Sequence, residues 1–416
     1  MRLSRTRRYQ YGKAPRTSAS GARKEDDDGG GGCSAISCLL VVVSVAVVGI
    51  VVALWLMNKL PGSESPLDPP EPPPPIPSGA ANGTLEFLNT LDLSFSPSCA
   101  AFIPGTSWVY LCNPGDNSLE LFLVEGVTGT WTDQNYSVST PAVSLYSSAA
   151  FPDVLWVSAD GYTLYVAYNY VTGHGWLTTF AVDVYTGNLL LLNSIGTTGQ
   201  VLAVVDDGVS VVYVTDASST LSVYINNGPG VGLVFFTNFS TSPTPQVSAV
   251  AVNNTLYTLG GDAVLIWPIL FNGSLGPPTT VTQLATTVAQ LVVSDDGGST
   301  LYVIGRAIVA EYAINQLTGA LTLVTALIDG TLGSACAVLG MAFNSYIYTL
   351  QNATALAQLA APSLSYLSPS AVSVPGPIVT SPCSVLVLYD AFVSLLDESQ
   401  STITTWGVAP LYGADE

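Results

Sequence analysis

Positive charge is nearly missing from most of this chain. From Ser78 to the C-terminus there is one basic residue, Arg306, against 22 acidic ones. That stretch has no lysine, and His174 is the sole histidine of all 416 residues. A surface of this kind repels polyanions, which excludes nucleic acid and anionic lipid as its partners. A His–His metal cluster is impossible. Acid–base and nucleophilic schemes that set His or Lys beside a carboxylate have little to draw on. Only 9% of residues are charged, so solubility must come from Ser, Thr, Asn and attached sugar. Disorder is excluded over most of the length, because 48% of residues are hydrophobic and 9% aromatic.

The missing basic residues sit at the other end. Eight of the ten lie within residues 1–32. Next comes a run without a charge, Ala35 to Met57 (AISCLLVVVSVAVVGIVVALWLM). At about 1.5 Å per residue it reaches roughly 34 Å, enough for a bilayer core. The run is longer than a signal-peptide core, follows a polar segment and ends without a small-x-small site, so an uncleaved signal anchor is expected. Basic residues before the span and only Lys59 just after it predict a cytosolic N-terminus and an exported C-terminal bulk. Cys33 and Cys38 border the cytosolic end, as palmitoylation sites or as plain thiols.

Pro61 to Pro77 holds nine prolines in 17 residues. Proline fixes φ and lacks a donor, so this stretch reads as an extended spacer roughly 50 Å long. The organisation expected is a cytosolic basic tail over 1–34, a transmembrane signal anchor over 35–57, a Pro-rich stalk over 58–78 and a folded head over 79–416.

The head is repetitive. Tyr110, Tyr165, Tyr213, Tyr257, Tyr302 and Tyr348 recur at intervals of 55, 48, 44, 45 and 46 residues, in phrases such as WVYLC, TLYVA and VVYVT. A seventh copy, FVSLL, has Ser394 in the tyrosine's place. About 45 residues of β pattern is one propeller blade. Before each copy comes a hairpin turn, near Gly105, Gly161, Gly208, Asn254, Gly297, Ser345 and Asp390. After it comes another turn, at Gly129, Gly187, Gly230, Gly273 and Gly319, with a worn copy near Ala361–Leu364. The seventh copy of that turn is displaced to Gly83, just after the stalk. The chain from Pro382 therefore supplies three strands, and residues 83–93 are expected to add the outer strand of the last blade and join the ring's ends. The fold class predicted is an all-β seven-bladed propeller, closed by an N-terminal outer strand and preceded by one transmembrane helix.

The phrases SADGYTLYVAYN, DDGGSTLYVIG, TGNLLLLN and TGALTLV resemble the YVTN/lactonase-like seven-bladed β-propeller family over about 84 to 406. The resemblance implies the blade architecture. Enzymes of that family are lactonases, but none of their catalytic motifs matches residue by residue, so no catalytic residue is carried over.

Four cysteines lie in the exported part, Cys99, Cys112, Cys336 and Cys383, and three pairings are open. Cys99 and Cys112 are symmetric about the turn at Gly105, so Cys99–Cys112 with Cys336–Cys383 is the favoured set. Six N-x-[ST] sequons, at Asn82, Asn135, Asn238, Asn253, Asn272 and Asn352, predict surface glycans.

One ring of polar residues remains. Each tyrosine strand ends at Asn113, Asn169, Asp216, Asp262, Arg306, Asn352 or Asp397. Side-chain caps of the following turn explain such residues. The alternative is a shallow ligand site, with Asn169, Asp216, Asp262, Arg306 and Asp397 as candidates. No cofactor is expected, although Asp216, Asp262 and Asp397 could hold Ca²⁺. The Asp-Asp-Gly phrases at 206–208 and 295–297 read as turns. The function expected is that of a type II membrane glycoprotein, on a cell surface or a virion envelope. Its head would recognise an extracellular protein or glycan, with a channel lined by Ser, Thr, Asn and aliphatics. A membrane-tethered lactonase-like hydrolase is the alternative.

Overall fold

The computed structural model describes residues 84–408, apart from 140–149, 229–230, 242–243, 262, 282–287, 295–297, 306, 333–338, 343–345, 352–353, 362, 375–382, 389–391 and 398–399. The expected anchor and stalk lie outside the described residues. Among the described residues no helix is long and apolar enough to cross a membrane.

The chain forms seven four-stranded antiparallel sheets. Strand β1 (Leu85–Asp92) comes first and belongs to the last sheet. Blade 1 is β2 (Ala100–Phe102), β3 (Trp108–Asn113), β4 (Ser118–Val124) and β5 (Trp131–Ser139). Blade 2 follows as β6 (Ala150–Val157), β7 (Thr163–Tyr170), β8 (Gly175–Val182) and β9 (Leu189–Thr197). In blade 3 these are β10 (Val201–Asp206), β11 (Val211–Asp216), β12 (Thr220–Asn226) and β13 (Leu233–Ser240). Blade 4 has β14 (Ser248–Val252), β15 (Thr255–Gly260), β16 (Ala263–Pro268) and the short β17 (Thr279–Val281). Blade 5 runs through β18 (Val288–Val293), β19 (Thr300–Gly305), β20 (Ile308–Ile314) and β21 (Leu321–Ile328). Blade 6 comprises β22 (Leu339–Ala342), β23 (Tyr346–Gln351), β24 (Ala355–Ala360) and β25 (Ser365–Ser373). The last blade takes β26 (Cys383–Leu388), β27 (Phe392–Asp397) and β28 (Thr402–Val408) from the C-terminal end. Within each blade the strands are called a to d from the inside outward.

Strand b explains the tyrosine repeat. A neighbouring blade covers each of its faces, so its residues are apolar consecutively rather than alternately. Strands β7, β11, β15 and β27 are buried at every position. Strand d has one covered face, and β5 and β21 alternate accordingly. Seven apolar clusters fill the seven gaps between blades. The one that closes the circle sets Val109, Leu111 and Phe122 of blade 1 against Phe392, Leu396 and Ile403 of blade 7.

The expected closure is observed. Strand β1 pairs antiparallel with β28, with Leu85 opposite Val408 and Asp92 opposite Thr402. Leu93 N–H extends the ladder to the Ser401 carbonyl at 2.7 Å.

The recurring turn after strand c latches one blade to the previous one. Tyr213 donates its hydroxyl to the Gly273 carbonyl of the next blade at 3.1 Å, and Tyr257 does the same to Gly319 at 2.8 Å. Tyr110 bonds Gly187 in the same way. Tyr165 instead accepts from Asn226 of blade 3 at 2.9 Å. The worn copy holds Leu364 at φ 50°, in the left-handed region that Gly129, Gly187, Gly273 and Gly319 occupy in blades 1, 2, 4 and 5. Ser394 cannot reach across as a tyrosine does. At that seam the Trp131 indole of blade 1 donates to Thr405 at 3.2 Å, and Thr405 bonds Ser394 at 3.0 Å.

Burial pushes the Tyr257 hydroxyl up to about 12, and those of Tyr110, Tyr165, Tyr213 and Tyr348 higher still. A raised folded-state pKa gives stability that is complete below the unfolded value near 10 and is lost as pH climbs through the folded one. Each such tyrosine then withdraws up to about 1.4 kcal/mol per pH unit. We expect one cooperative alkaline transition between about pH 10 and 12, in which tyrosinate absorbance rises together with loss of near-ultraviolet circular dichroism. Gradual ionisation without unfolding would contradict the buried latches.

Cys99 and Cys112 form a disulfide across the first hairpin, with Cα atoms 5.0 Å apart, as the symmetry about Gly105 predicted. Cys336 lies outside the described residues, and the expected Cys336–Cys383 pair with it. Replacing Cys99 and Cys112 by Ser is expected to cost about 3 kcal/mol, from the 13-residue separation the bond closes. Denaturant unfolding of oxidised protein against the double variant checks this.

Candidate functional site

The two ends of the ring are chemically different. One carries the b–c turns and the connections from each strand d to the next strand a. The other carries the a–b and c–d turns. Of the four connections of nine or more residues, 140–149, 329–338 and 374–382 belong to the first end and 269–278 belongs to the second. Leu85 opens β1 opposite Val408, where strand c finishes, so the chain joins the propeller at the second end.

The polar ring at the ends of strand b lies at the first end, and the residues described there cap turns and join blades. Asn113 Oδ1 accepts Gly115 N–H at 3.1 Å and Asp116 N–H at 3.3 Å. Asn169 binds both sides of Val201, accepting its N–H at 2.8 Å and donating to its carbonyl at 2.9 Å. It thereby ties blade 2 to the inner strand of blade 3. Asp216 is 2% exposed and its carboxylate receives five hydrogen bonds. Oδ1 takes Ser218 N–H, the Ser218 hydroxyl and Thr220 N–H at 2.9, 2.6 and 3.1 Å. Oδ2 takes Gly199 N–H at 3.1 Å and the Thr198 hydroxyl. Asp397 is buried and accepts Gln400 N–H at 3.3 Å. Asp262, Arg306 and Asn352 lie outside the described residues. Among the described residues no three His, Cys, Asp or Glu side chains gather to hold a metal ion. Asp216 meets its full hydrogen-bonding demand from its own turn and the neighbouring connection.

His174 is exposed in the b–c turn of blade 2, where its carbonyl accepts Tyr170 N–H at 2.9 Å. Of the sequons, Asn135 and Asn238 are exposed on the outer strands β5 and β13. Asn253 and Asn272 are exposed on an a–b and a c–d turn. Asn82 and Asn352 lie outside the described residues.

The second end opens into the central channel. A cavity of about 440 Å³ is walled by strands a of blades 2 to 5 and their turns. Trp156, Val157, Val205, Val250, Leu291 and Val293 give it an apolar wall. The expected lining of Ser, Thr and Asn is absent from this mouth among its described residues, and the expected aliphatics are present. Asp206 is its distinctive polar group. Trp156 Nε1–H donates to Asp206 Oδ2 at 3.1 Å, and Gly208 N–H to Oδ1 at 2.8 Å. Burial raises the Asp206 pKa, while those two bonds act in the opposite direction. Asp207 is different. Its Oδ1 caps the turn, accepting Val209, Ser210 and Val211 N–H at 2.9, 2.8 and 2.9 Å. The Asp-Asp-Gly phrase is thus a turn, as read, but its first carboxylate also faces the channel.

These features define the chain as a seven-bladed β-propeller. No family model matches it, and no curated protein does. Among solved structures it is similar to a functionally unknown protein from Desulfotomaculum acetoxidans DSM 771, with a TM-score of 0.55 and 14% identity. The match covers 71% of this chain and 92% of that one. Similarity at that identity supports the fold and leaves activity to be argued from the site.

Proposed function

We propose that the propeller is a recognition head for an extracellular protein or glycan. A Pro-rich stalk and a type II anchor over residues 35–57 would carry it on a cell surface or virion envelope. The observation that carries this reading is the division of labour between the two ends. The chain joins at one end, and three of the four longest connections belong to the other. Loops on a rigid scaffold are the usual site of recognition. The near absence of basic residues and four exposed sequons, at Asn135, Asn238, Asn253 and Asn272, support an exported glycoprotein.

Kinship with the YVTN/lactonase-like family is part of this proposal and rests on the blade phrases. A lactonase-like hydrolase has less support, because Asn169 and Asp216 already have their hydrogen bonds within the fold. Every described strand falls within residues 79–416, so that segment contains the packing of the propeller. Its binding to glycan arrays and to cell surfaces tests the reading. We expect binding that disappears when 140–149 is replaced by a Gly/Ser segment of equal length. Absence of binding, together with measurable lactone hydrolysis, would overturn it.

A further inference from the structure

The channel mouth on the attachment side is a second, separate site. Its wall comes from four successive blades, roughly 45 residues apart in sequence, which converge only because the ring closes. The cavity is of drug-fragment to drug size at about 440 Å³, and its lining is predominantly apolar. Val209, 88% exposed on the a–b turn of blade 3, extends the apolar surface to the rim. An apolar pocket with a few placed polar groups is the common form of a small-molecule site, and beside Asp207 and Gln290 the group held in place by the Trp156 indole is Asp206.

That polar group is an anion. A carboxylate oxygen can accept two hydrogen bonds, and each Asp206 oxygen receives one, from Trp156 Nε1–H on Oδ2 and from Gly208 N–H on Oδ1. These two donors fix the carboxylate in position and leave acceptor capacity toward the channel. The Trp156 ring lies beside it in the same wall, and an indole face attracts cations, more strongly when water is excluded. The surrounding head has 22 acidic residues and one basic residue, so the field in a low-dielectric mouth is negative. Burial disfavours the charged form of Asp206, and a cation delivered to it would relieve that cost.

We propose that this mouth binds a small amphipathic ammonium compound, with the charged head at Asp206 and Trp156 and the apolar tail against Val250, Leu291 and Val293. Neutral alcohols of the same length lack the charge term, and carboxylates meet a like charge.

The test uses isothermal titration of residues 79–416 with hexylammonium, hexanol and hexanoate as probes. We expect the ammonium to bind at least ten-fold more tightly than hexanol, and hexanoate not to bind. Asp206→Asn keeps the acceptor for Gly208 and removes the charge. It should weaken the ammonium at least ten-fold and leave hexanol unchanged. Val250→Trp fills the cavity and should abolish binding of both, which separates this site from diffuse attraction to the acidic surface. Near-ultraviolet circular dichroism verifies that each variant is folded. Equal affinity for hexanol and the ammonium overturns the proposal. So does a folded Asp206→Asn or Val250→Trp variant that binds the ammonium as the parent does. Loss of cell-surface or glycan recognition bears on the other end of the ring and is read independently of these titrations.

Discussion

A chain that starts at Ser94 is expected to lose cooperative folding. The deletion removes β1, and with it the outer strand of blade 7. Seven register pairs with β28 disappear, from Leu85–Val408 to Asp92–Thr402. At roughly 1 kcal/mol net for each hydrogen bond of the ladder, the loss is several kcal/mol, against a total of about 5–15 kcal/mol for a typical domain. Two further effects add to it. The β28 edge becomes an open template for pairing with other chains. Leu85 also leaves the cluster it shares with Trp406, Val408 and Tyr348, and its N–H no longer donates to Gln358 at 2.8 Å. Size-exclusion chromatography and thermal unfolding should show aggregation or a broad, low transition. Adding residues 79–93 as a separate peptide should restore part of the loss. A monomeric protein with the parent's unfolding curve would refute the closure.

The second large effect is at Gly273. It sits at φ +78°, where an L side chain is strained. A Cβ built there would be 2.4 Å from Cγ2 of Val211, on strand b of the preceding blade. Gly273→Ala therefore combines backbone strain with a collision inside the latch, where the Gly273 carbonyl accepts the Tyr213 hydroxyl. We expect a loss of about 3 kcal/mol or more. Combining it with Val211→Ala separates the two terms. The double variant removes the collision but keeps the strain, so the two losses should fall short of additivity by about 1 kcal/mol or more. Strict additivity would show that the turn does not pack on Val211.

The blade pattern was readable because each blade solves the same local problem. Tyr213, Tyr257 and their counterparts serve one geometry repeatedly, and the left-handed turns leave glycine at a fixed offset. The displaced turn at Gly83 revealed the closure, since a blade one strand short must find its fourth strand elsewhere. The pairing of Cys99 with Cys112 followed from hairpin symmetry. Ser394 was visible as an exception, but its remedy was not. Trp131 reaches it through Thr405 across the seam, a contact between residues more than 260 positions apart that no period encodes. The polar ring was legible as a pattern, and the turn-capping explanation describes Asn113, Asp216 and Asp397. Asn169 does more, because it bridges two blades. The channel mouth was missed. Trp156 and Asp206 look like ordinary ends of strand a, and their partnership comes from the convergence of blades.

The orientation of β1 also has a mechanical consequence. Tension applied at Leu85 along the strand axis would act parallel to the seam of β1 with β28. The ladder is then loaded in shear, so its seven register pairs resist together rather than opening one after another. A closing strand loaded along its own axis would thus meet the force in its strongest direction.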